Sequence, residues 1–206
     1  GSGNLRSVIL YLDGNQISVA QQEWTHNEDP RYPGSMDFDV EKNYSIMLHC
    51  IKESIEKANI ENPNDIISIA STSMREGIVL YDNQGKEIWA CANVDARADA
   101  EVSQLKAISK EIEQDIYQVS GQTFALGALP RILWVKNNMP DVYEKTGAVT
   151  MLNDWITYKL TGILSVEPSN GCTTGIFDLS HRQWDESIAL KCGLKKGIYP
   201  KVYECG

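Results

Sequence analysis

The chain has 206 residues, of which 42% are hydrophobic and 23% charged, and these ordinary fractions exclude a disordered or collagen-like protein. The net charge of −9 argues against nucleic acid as a partner, because phosphate binding needs clustered Lys and Arg. The sequence has neither a membrane-length apolar run nor a secretion signal, and its five cysteines lack metal-ligand spacing. We therefore expect a cytoplasmic protein with reduced thiols and no membrane contact.

The first half of the chain alternates predicted strands with one helix. Apolar residues flank the Asp13-Gly14-Asn15 turn and predict a β-hairpin. Asp39 is a suitable N-cap for a helix whose apolar residues recur every three or four positions as far as Ala58. The predicted strands cover residues 7–12, 17–24, 65–70, 78–81 and 87–90, and a Pro- and Gly-containing loop covers residues 27–39.

The sequence predicts mostly helices in the second half of the chain. The expected helices cover residues 98–119, 126–138, 154–160 and 184–192, with a short helical turn from Pro140, a strand at 148–151 and a loop at 169–175. Gly162 is a candidate C-cap. This alternation of strands and helices indicates an α/β fold with a mixed sheet. No shift in composition divides the chain, so we expect one domain.

The first candidate site is the segment Ser73-Met74-Arg75-Glu76-Gly77, which follows the predicted strand at 65–70. Residues at the carboxyl ends of strands in α/β sheets line ligand crevices. Arg75 offers a fork of donors and Glu76 offers acceptors, and a polyhydroxylated substrate uses both. The alternative is a surface ion pair at a turn.

The second candidate site contains Asp95 and Arg97, which follow the predicted strand at 87–90. On an extended segment, two residues that are two positions apart point to the same side. These residues therefore predict a polar patch beside the first site. The alternative is a structural salt bridge.

Two other segments are candidate phosphate sites. Gly1, Ser2 and Gly3 precede the first strand, and Gly-rich turns bind phosphate through backbone N–H groups, although neither the P-loop nor the dinucleotide pattern is present. The segment 168–175 is rich in Ser, Thr, Asn and Gly. Its alternative is a loop whose side chains satisfy their own backbone.

In this order, these segments resemble the FGGY family of carbohydrate kinases over essentially the whole chain. The resemblance rests on the hairpin turn, the Pro-Gly-Ser-Met-Asp-Phe-Asp loop at 33–39, the Ser-Met-Arg-Glu-Gly segment, and Tyr-Lys-Leu-Thr-Gly at 158–162 before the 169–175 segment. Residues 73–81 and 88–98 most resemble the autoinducer-2 kinase branch, which phosphorylates the linear dihydroxypentanedione signal with ATP. The resemblance implies the ribonuclease H-like fold of actin and hexokinase, with a mixed sheet flanked by helices.

The resemblance also implies a domain arrangement. Residues 1–206 would be the N-terminal, substrate-side domain of a kinase, and its own C-terminal domain would be its partner in closing over a small sugar-like substrate. ATP and Mg²⁺ would be the cofactors, with Gly1, Ser2 and Gly3 near the phosphates. We expect truncation at both ends, with a metal-placing Asp before Gly1 and the general-base Asp beyond Gly206. The chain alone is therefore expected to hold no catalytic residue and to be inactive.

By the same resemblance, Arg75 and Glu76 would bind the substrate, with Asp95 and Arg97 as second contacts or supports. Leu126 stands where glycerol kinases carry a Tyr, which argues against glycerol as the substrate. Two alternatives stay open: a pentulose or hexulose kinase such as a xylulokinase, and a non-catalytic actin-like module that binds a partner protein. The oligomeric state is also left open.

Overall fold

The computed structural model describes residues 3–123 and 127–204, which form an α/β structure. The strands are β1 Asn4–Leu10, β2 Gln16–Glu23, β3 Ile78–Tyr81, β4 Glu87–Cys91, β5 Ala148–Met151, β6 Phe177–Asp178 and β7 Gln183–Trp184. The helices are α1 Val40–Lys57, α2 Asp99–Lys106, α3 Ile112–Ser120, α4 Ala128–Asn138, α5 Pro140–Lys145, α6 Leu152–Thr161, α7 Pro168–Gly171 and α8 Glu186–Lys191. Short 3-10 helices cover Pro63–Asp65 and Cys172–Thr174.

The strands of the described residues form three small antiparallel sheets. β1 pairs with β2, β6 pairs with β7, and the central sheet has the order β4-β3-β5. The sequence predicted a mixed sheet. Among the described residues, the only parallel pairing is an isolated bridge between Val166 and Val202. The α/β class is confirmed.

The central sheet separates two hydrophobic cores. Successive residues of β3 point to opposite faces, so that Ile78 and Leu80 enter one core while Val79 and Tyr81 enter the other. All four side chains are fully buried. The first core is completed by residues of α2 to α5 and α8, and the second by residues of α1, α6 and the β1-β2 hairpin. β3 is thus covered on both faces and paired on both edges.

Several local predictions are confirmed. The hairpin forms around the turn at residues 11–15, and the Asp39 side chain caps α1 by accepting from the backbone N–H of Lys42 at 2.9 Å. Gly162 ends α6 in the left-handed conformation, with φ at +74°. Among the described residues, we found no helix of a length and apolarity suited to crossing a membrane.

The predicted strand at residues 65–70 is wrong. The Ile66 N–H closes the 3-10 turn by donating to the Pro63 carbonyl, and residues 67–73 make no backbone-to-backbone hydrogen bond within the described chain. Ile67 is 71% exposed and Ile69 is 67% exposed. The apolar run favours an extended backbone, but a strand also needs a paired neighbour, and residues 67–73 pair with none of the described strands.

Three further boundaries differ from prediction. The single helix expected at 98–119 is two helices, because the chain tightens at Ala107 and Ile108, whose N–H groups donate to carbonyls three residues earlier. The loop expected at 169–175 is helical, as α7 followed by a 3-10 turn. The last helix begins after Trp184, because Trp184 belongs to β7 and Asp185 caps α8.

Candidate functional site

One end of the central sheet gathers the polar segments that the sequence singles out. In the register of the sheet, Ile78 lies opposite Cys91 on one side and Met151 on the other. The beginning of β3 therefore meets the ends of β4 and β5. The segments 73–77 and 92–97 and the start of α6 emerge together there. Arg75 and Glu76 precede β3, although they had been expected to follow a strand, whereas Asp95 and Arg97 follow β4 as predicted.

Arg75 and Glu76 form a turn directly before β3. Glu76 adopts a left-handed backbone with φ at +69°, which is uncommon for a residue with a Cβ atom. Gly77 follows, and a Cβ atom there would lie 2.5 Å from the Cδ1 atom of Leu152 and 3.2 Å from the Cys91 carbonyl oxygen. A side chain at this position would therefore force Leu152 to shift, and the turn approaches the end of β4 and the start of α6 closely.

The side chains of Arg75 and Glu76 are uncommitted. Neither makes a hydrogen bond or an ion pair to any side chain or backbone group of the described residues, and Arg75 is exposed while Glu76 is half-buried. Burial raises the pKa of the Cys172 thiol, and the positive charge of Arg75 opposes that rise. The surface ion pair that was the alternative for these residues does not form within the described chain.

Asp95 and Arg97 are committed to each other. Arg97 donates from Nε to Asp95 Oδ2 at 2.8 Å and also pairs with Asp37. Burial lowers the pKa of the Arg97 guanidinium, but its hydrogen bonds to the two carboxylates outweigh that effect and raise the pKa. The guanidinium lies 5.3 Å from the Trp89 ring centroid and 4.9 Å from that of Trp134. These contacts leave the side chain 3% exposed.

Asp95 also fastens the loop at residues 27–39. Its Oδ2 atom accepts from the Met36 backbone N–H at 2.7 Å. The Ala96 N–H donates to the Gly34 carbonyl at 2.8 Å, and the Ala92 N–H donates to the Met36 carbonyl at 2.9 Å. Of the two roles expected for Asp95 and Arg97, this geometry favours support of the site over contact with a ligand.

The predicted phosphate-binding residues are only partly visible. Gly1, Ser2 and Leu126 lie outside the described residues. Gly3 starts the hairpin, where its carbonyl accepts from the Trp24 N–H at 3.3 Å, and a Cβ atom on it would meet nothing within 4 Å. Across residues 3–123 and 127–204, no group of three His, Cys, Asp or Glu side chains is arranged to hold a metal ion.

A match to a family model identifies the family of this chain. The model of the N-terminal domain of the FGGY family of carbohydrate kinases matches residues 1–206. The chain belongs to this family. It is 49% identical to an autoinducer-2 kinase of Enterobacter sp. (strain 638) and 46% identical to one of Escherichia coli (strain K12), over 207 aligned residues. In both cases the match covers 100% of this chain and 39% of the relative.

Solved structures show the fold of this FGGY domain. The xylulose kinase of Rhodospirillum rubrum superposes with a TM-score of 0.87 at 19% identity, covering 98% of this chain and 41% of that one. The glycerol kinase of Plasmodium falciparum superposes with a TM-score of 0.83 at 20% identity, with the same coverage. The actin-like kinase fold expected from the sequence is confirmed.

Sequence reasoning missed Arg131 in this FGGY domain. Arg131 lies on α4, and its guanidinium donates to the carbonyl of Glu76 at 2.5 Å, and to those of Asn93 and Asp95 at 2.8 Å and 2.9 Å. The signal was a lone charge in the apolar run Ala-Leu-Pro-Arg-Ile-Leu-Trp-Val, in which every residue is buried. Asp37 was also missed, because its role depends on the position of Arg97, 60 residues away.

In the segment 168–175, Thr hydroxyls hydrogen-bond to the segment's own backbone. The hydroxyls of Thr173 and Thr174 donate to the carbonyls of Asn170 and Gly171, each at 2.8 Å. This contact pattern is the alternative that the sequence offered to phosphate binding. The hydroxyls tighten the turns instead of facing outwards.

A buried carboxylate connects this segment to the sheet end. Asp154 accepts from the backbone N–H groups of Met151 and Glu167, both at 3.1 Å, and from the side chain of Asn153 at 3.2 Å. Burial raises the pKa of Asp154 to about 7, against the opposing effect of these donors. The Asn170 amide joins the network by donating to the Asn153 side-chain oxygen at 2.5 Å.

Proposed function

We propose that this domain binds the substrate of an ATP-dependent kinase, and that the substrate is the dihydroxypentanedione precursor of autoinducer-2. The observation that carries the proposal is the contrast within the sheet end. Arg75 and Glu76 have uncommitted side chains, whereas Asp95 and Arg97 are fully engaged in holding the neighbouring loop. The names of the relatives at 46–49% identity support the choice of substrate.

The chemistry of the two free side chains suits a short chain of adjacent oxygens. Arg75 stays ionised and presents a planar fork of donors, which can engage two neighbouring carbonyl or hydroxyl oxygens. Glu76 is an acceptor and can take the hydrogen of a hydroxyl. Together they orient a polyoxygenated substrate without needing a ring. ATP, when bound, would supply the phosphoryl group and leave as ADP, and the proton of the attacking hydroxyl would pass to a general base.

Two other functions compete with this proposal. A pentulose or hexulose kinase such as a xylulokinase would use the same sheet end, but many such enzymes resemble Gln-Met-His-Gly where this chain has Ser-Met-Arg-Glu at 73–76. A non-catalytic actin-like module would bind a partner protein and no small molecule. The uncommitted Arg75 and Glu76 favour a small polar ligand over that module.

The test compares substrates on the full-length protein. ATP consumption is measured with dihydroxypentanedione, xylulose and glycerol under the same conditions. We expect the highest kcat/KM with dihydroxypentanedione. Higher kcat/KM with xylulose would establish the pentulose-kinase alternative, and no turnover with any of the three compounds would favour the binding module.

A further inference from the structure

Arg131 is a buried cation that, among the described residues, hydrogen-bonds only to main-chain oxygens. The residue is 3% exposed, and no carboxylate of the described chain forms an ion pair with it. Its Nη1 atom donates to the Glu76 carbonyl, its Nη2 atom to the carbonyls of Asn93 and Asp95, and its Nε atom to the Asp95 carbonyl at 3.3 Å. Burying a charge is costly unless its donors are well paired.

The contacts of Arg131 join two separate segments. Glu76 stands before β3, and Asn93 and Asp95 stand after β4. Among the described side chains, only Arg131 hydrogen-bonds to both segments. A guanidinium holds its donors in a fixed planar fork, so it sets the spacing and direction of the three carbonyls, whereas an ammonium at the same place would act as a point charge.

We propose that Arg131 is a positioning residue that fixes the substrate-binding turn relative to the Asp95-Arg97 support, an inference that rests on the proposed function. The side chains of Arg75 and Glu76 have no described partner of their own, so their directions depend on the backbone that carries them. That backbone is left-handed at Glu76, a conformation that persists only where the surroundings hold it. The Nη1 hydrogen bond to the Glu76 carbonyl is one such restraint.

The test uses the full-length protein with Arg131→Met, Arg131→Lys and the control Lys191→Met. Lys191 pairs with Asp115 at 2.6 Å on the surface, where both partners are nearly half exposed, so its loss should leave the activity unchanged. KM for dihydroxypentanedione, KM for ATP, kcat and melting temperature are measured for each variant. Arg131→Met is also assayed with guanidinium chloride far below denaturing concentrations, against sodium chloride at equal ionic strength.

Displacement of a binding group by about 1 Å can cost about 100-fold in rate, so kcat/KM for dihydroxypentanedione should fall by roughly that factor in Arg131→Met. We expect the loss to lie mainly in KM for this substrate, with KM for ATP unchanged, partial retention in Arg131→Lys, and recovery with guanidinium but not with sodium. A lowered melting temperature with unchanged substrate KM would overturn the proposal, as would an equal loss in both KM values. If Arg131→Met does not fold, the same substrate-KM criterion is applied to Arg131→Lys.

Hydrogen exchange separates this proposal from the proposed function. Amide exchange at residues 75–77 and 93–97 is measured in the wild-type protein, Arg131→Lys, Arg131→Met and the Lys191→Met control, without substrate. Faster exchange confined to these two segments in the Arg131 variants supports the positioning role even if the wild-type protein phosphorylates none of the three compounds. Unchanged exchange in both segments would overturn it.

Discussion

At the scale of single residues, the candidate site contains two kinds of charged side chain. Some have no hydrogen-bond or ion-pair partner among the described residues, and the others are held by such contacts. Arg97 is held by Asp95 and Asp37 and packs against two stacked indole rings, so it cannot turn towards a ligand without breaking these ion pairs. The Glu76 side chain has no hydrogen bond or ion pair to any of the described residues. The two charged pairs look alike in the sequence and differ only in what surrounds them.

Glu76→Ala tests the free side chain. A hydrogen bond to a charged group contributes about 1.5–3 kcal/mol, so kcat/KM for dihydroxypentanedione should fall roughly 10- to 150-fold in the full-length protein. Glu53→Ala is the matched control, because Glu53 lies on α1 and pairs with Lys57 at 2.8 Å on the surface. Steady-state kinetics give kcat/KM for both variants and for wild type. Equal kinetics for Glu76→Ala and wild type would remove Glu76 from the substrate site.

Asp154 predicts a pH dependence of stability. Burial raises its pKa from 3.8 to about 7, so the folded protein binds the proton more tightly than the unfolded chain does. The stability that this provides is complete below the unfolded pKa and is lost as the pH rises through the folded pKa. Asp154→Asn is neutral at every pH and serves as the reference.

The melting temperature of wild type relative to Asp154→Asn should therefore fall between about pH 5 and about pH 8. Thermal unfolding of both proteins across this range measures the difference, and other titrating groups cancel because both proteins carry them. A difference that stays constant or grows with pH would contradict the raised pKa.

At the scale of elements, the sequence predicted what depends on local pattern. The helix after Asp39 follows from its cap and its apolar periodicity, and β3 and β4 follow from apolar runs around the 82–85 turn. The segment at 65–70 has an equally apolar run but no strand partner within the described chain. Partnership in a sheet depends on residues far away in the sequence, which a local pattern does not contain.

The same limit applies to the site. Arg75, Glu76, Asp95 and Arg97 were predicted from residue type and spacing. Their division into free and engaged residues needed the position of Asp37, and the Arg131 contacts needed the packing of α4 against the sheet end. Both are products of tertiary structure.

Amide exchange in this chain tests whether residues 67–73 lack a strand partner. Residues 67–73 make no backbone-to-backbone hydrogen bond within the described chain, so their amides should exchange with little protection. The amides of β3 are buried and paired on both edges, and they should exchange only on global opening. Hydrogen exchange followed by mass spectrometry compares the two segments in one sample. Strong protection across 67–73 would contradict the structure of this segment.

At the scale of the whole molecule, the chain spans 39% of the length of the curated relatives that it matches. The described residues include the proposed substrate-binding pair, but no group of three His, Cys, Asp or Glu side chains among them is arranged to hold a metal ion. We therefore expect the 206-residue chain to show no ATP turnover above a boiled control when dihydroxypentanedione is supplied. Turnover by this chain would mean that it holds the whole catalytic apparatus.

In the proposed site, Arg75 and Glu76 hold the substrate on a frame built by Asp95, Arg97 and Arg131. Titration calorimetry of dihydroxypentanedione into the full-length protein, without ATP, tests it most directly when wild type is compared with Arg75→Lys. Lys keeps the charge but loses the planar fork, and Arg75 has no described partner whose loss would unfold the protein. We predict saturable binding to wild type and at least tenfold weaker binding to Arg75→Lys at an unchanged melting temperature, as expected for loss of a charged hydrogen bond worth about 1.5–3 kcal/mol. Equal affinity in the two proteins, or a lowered melting temperature with native affinity, would contradict the account.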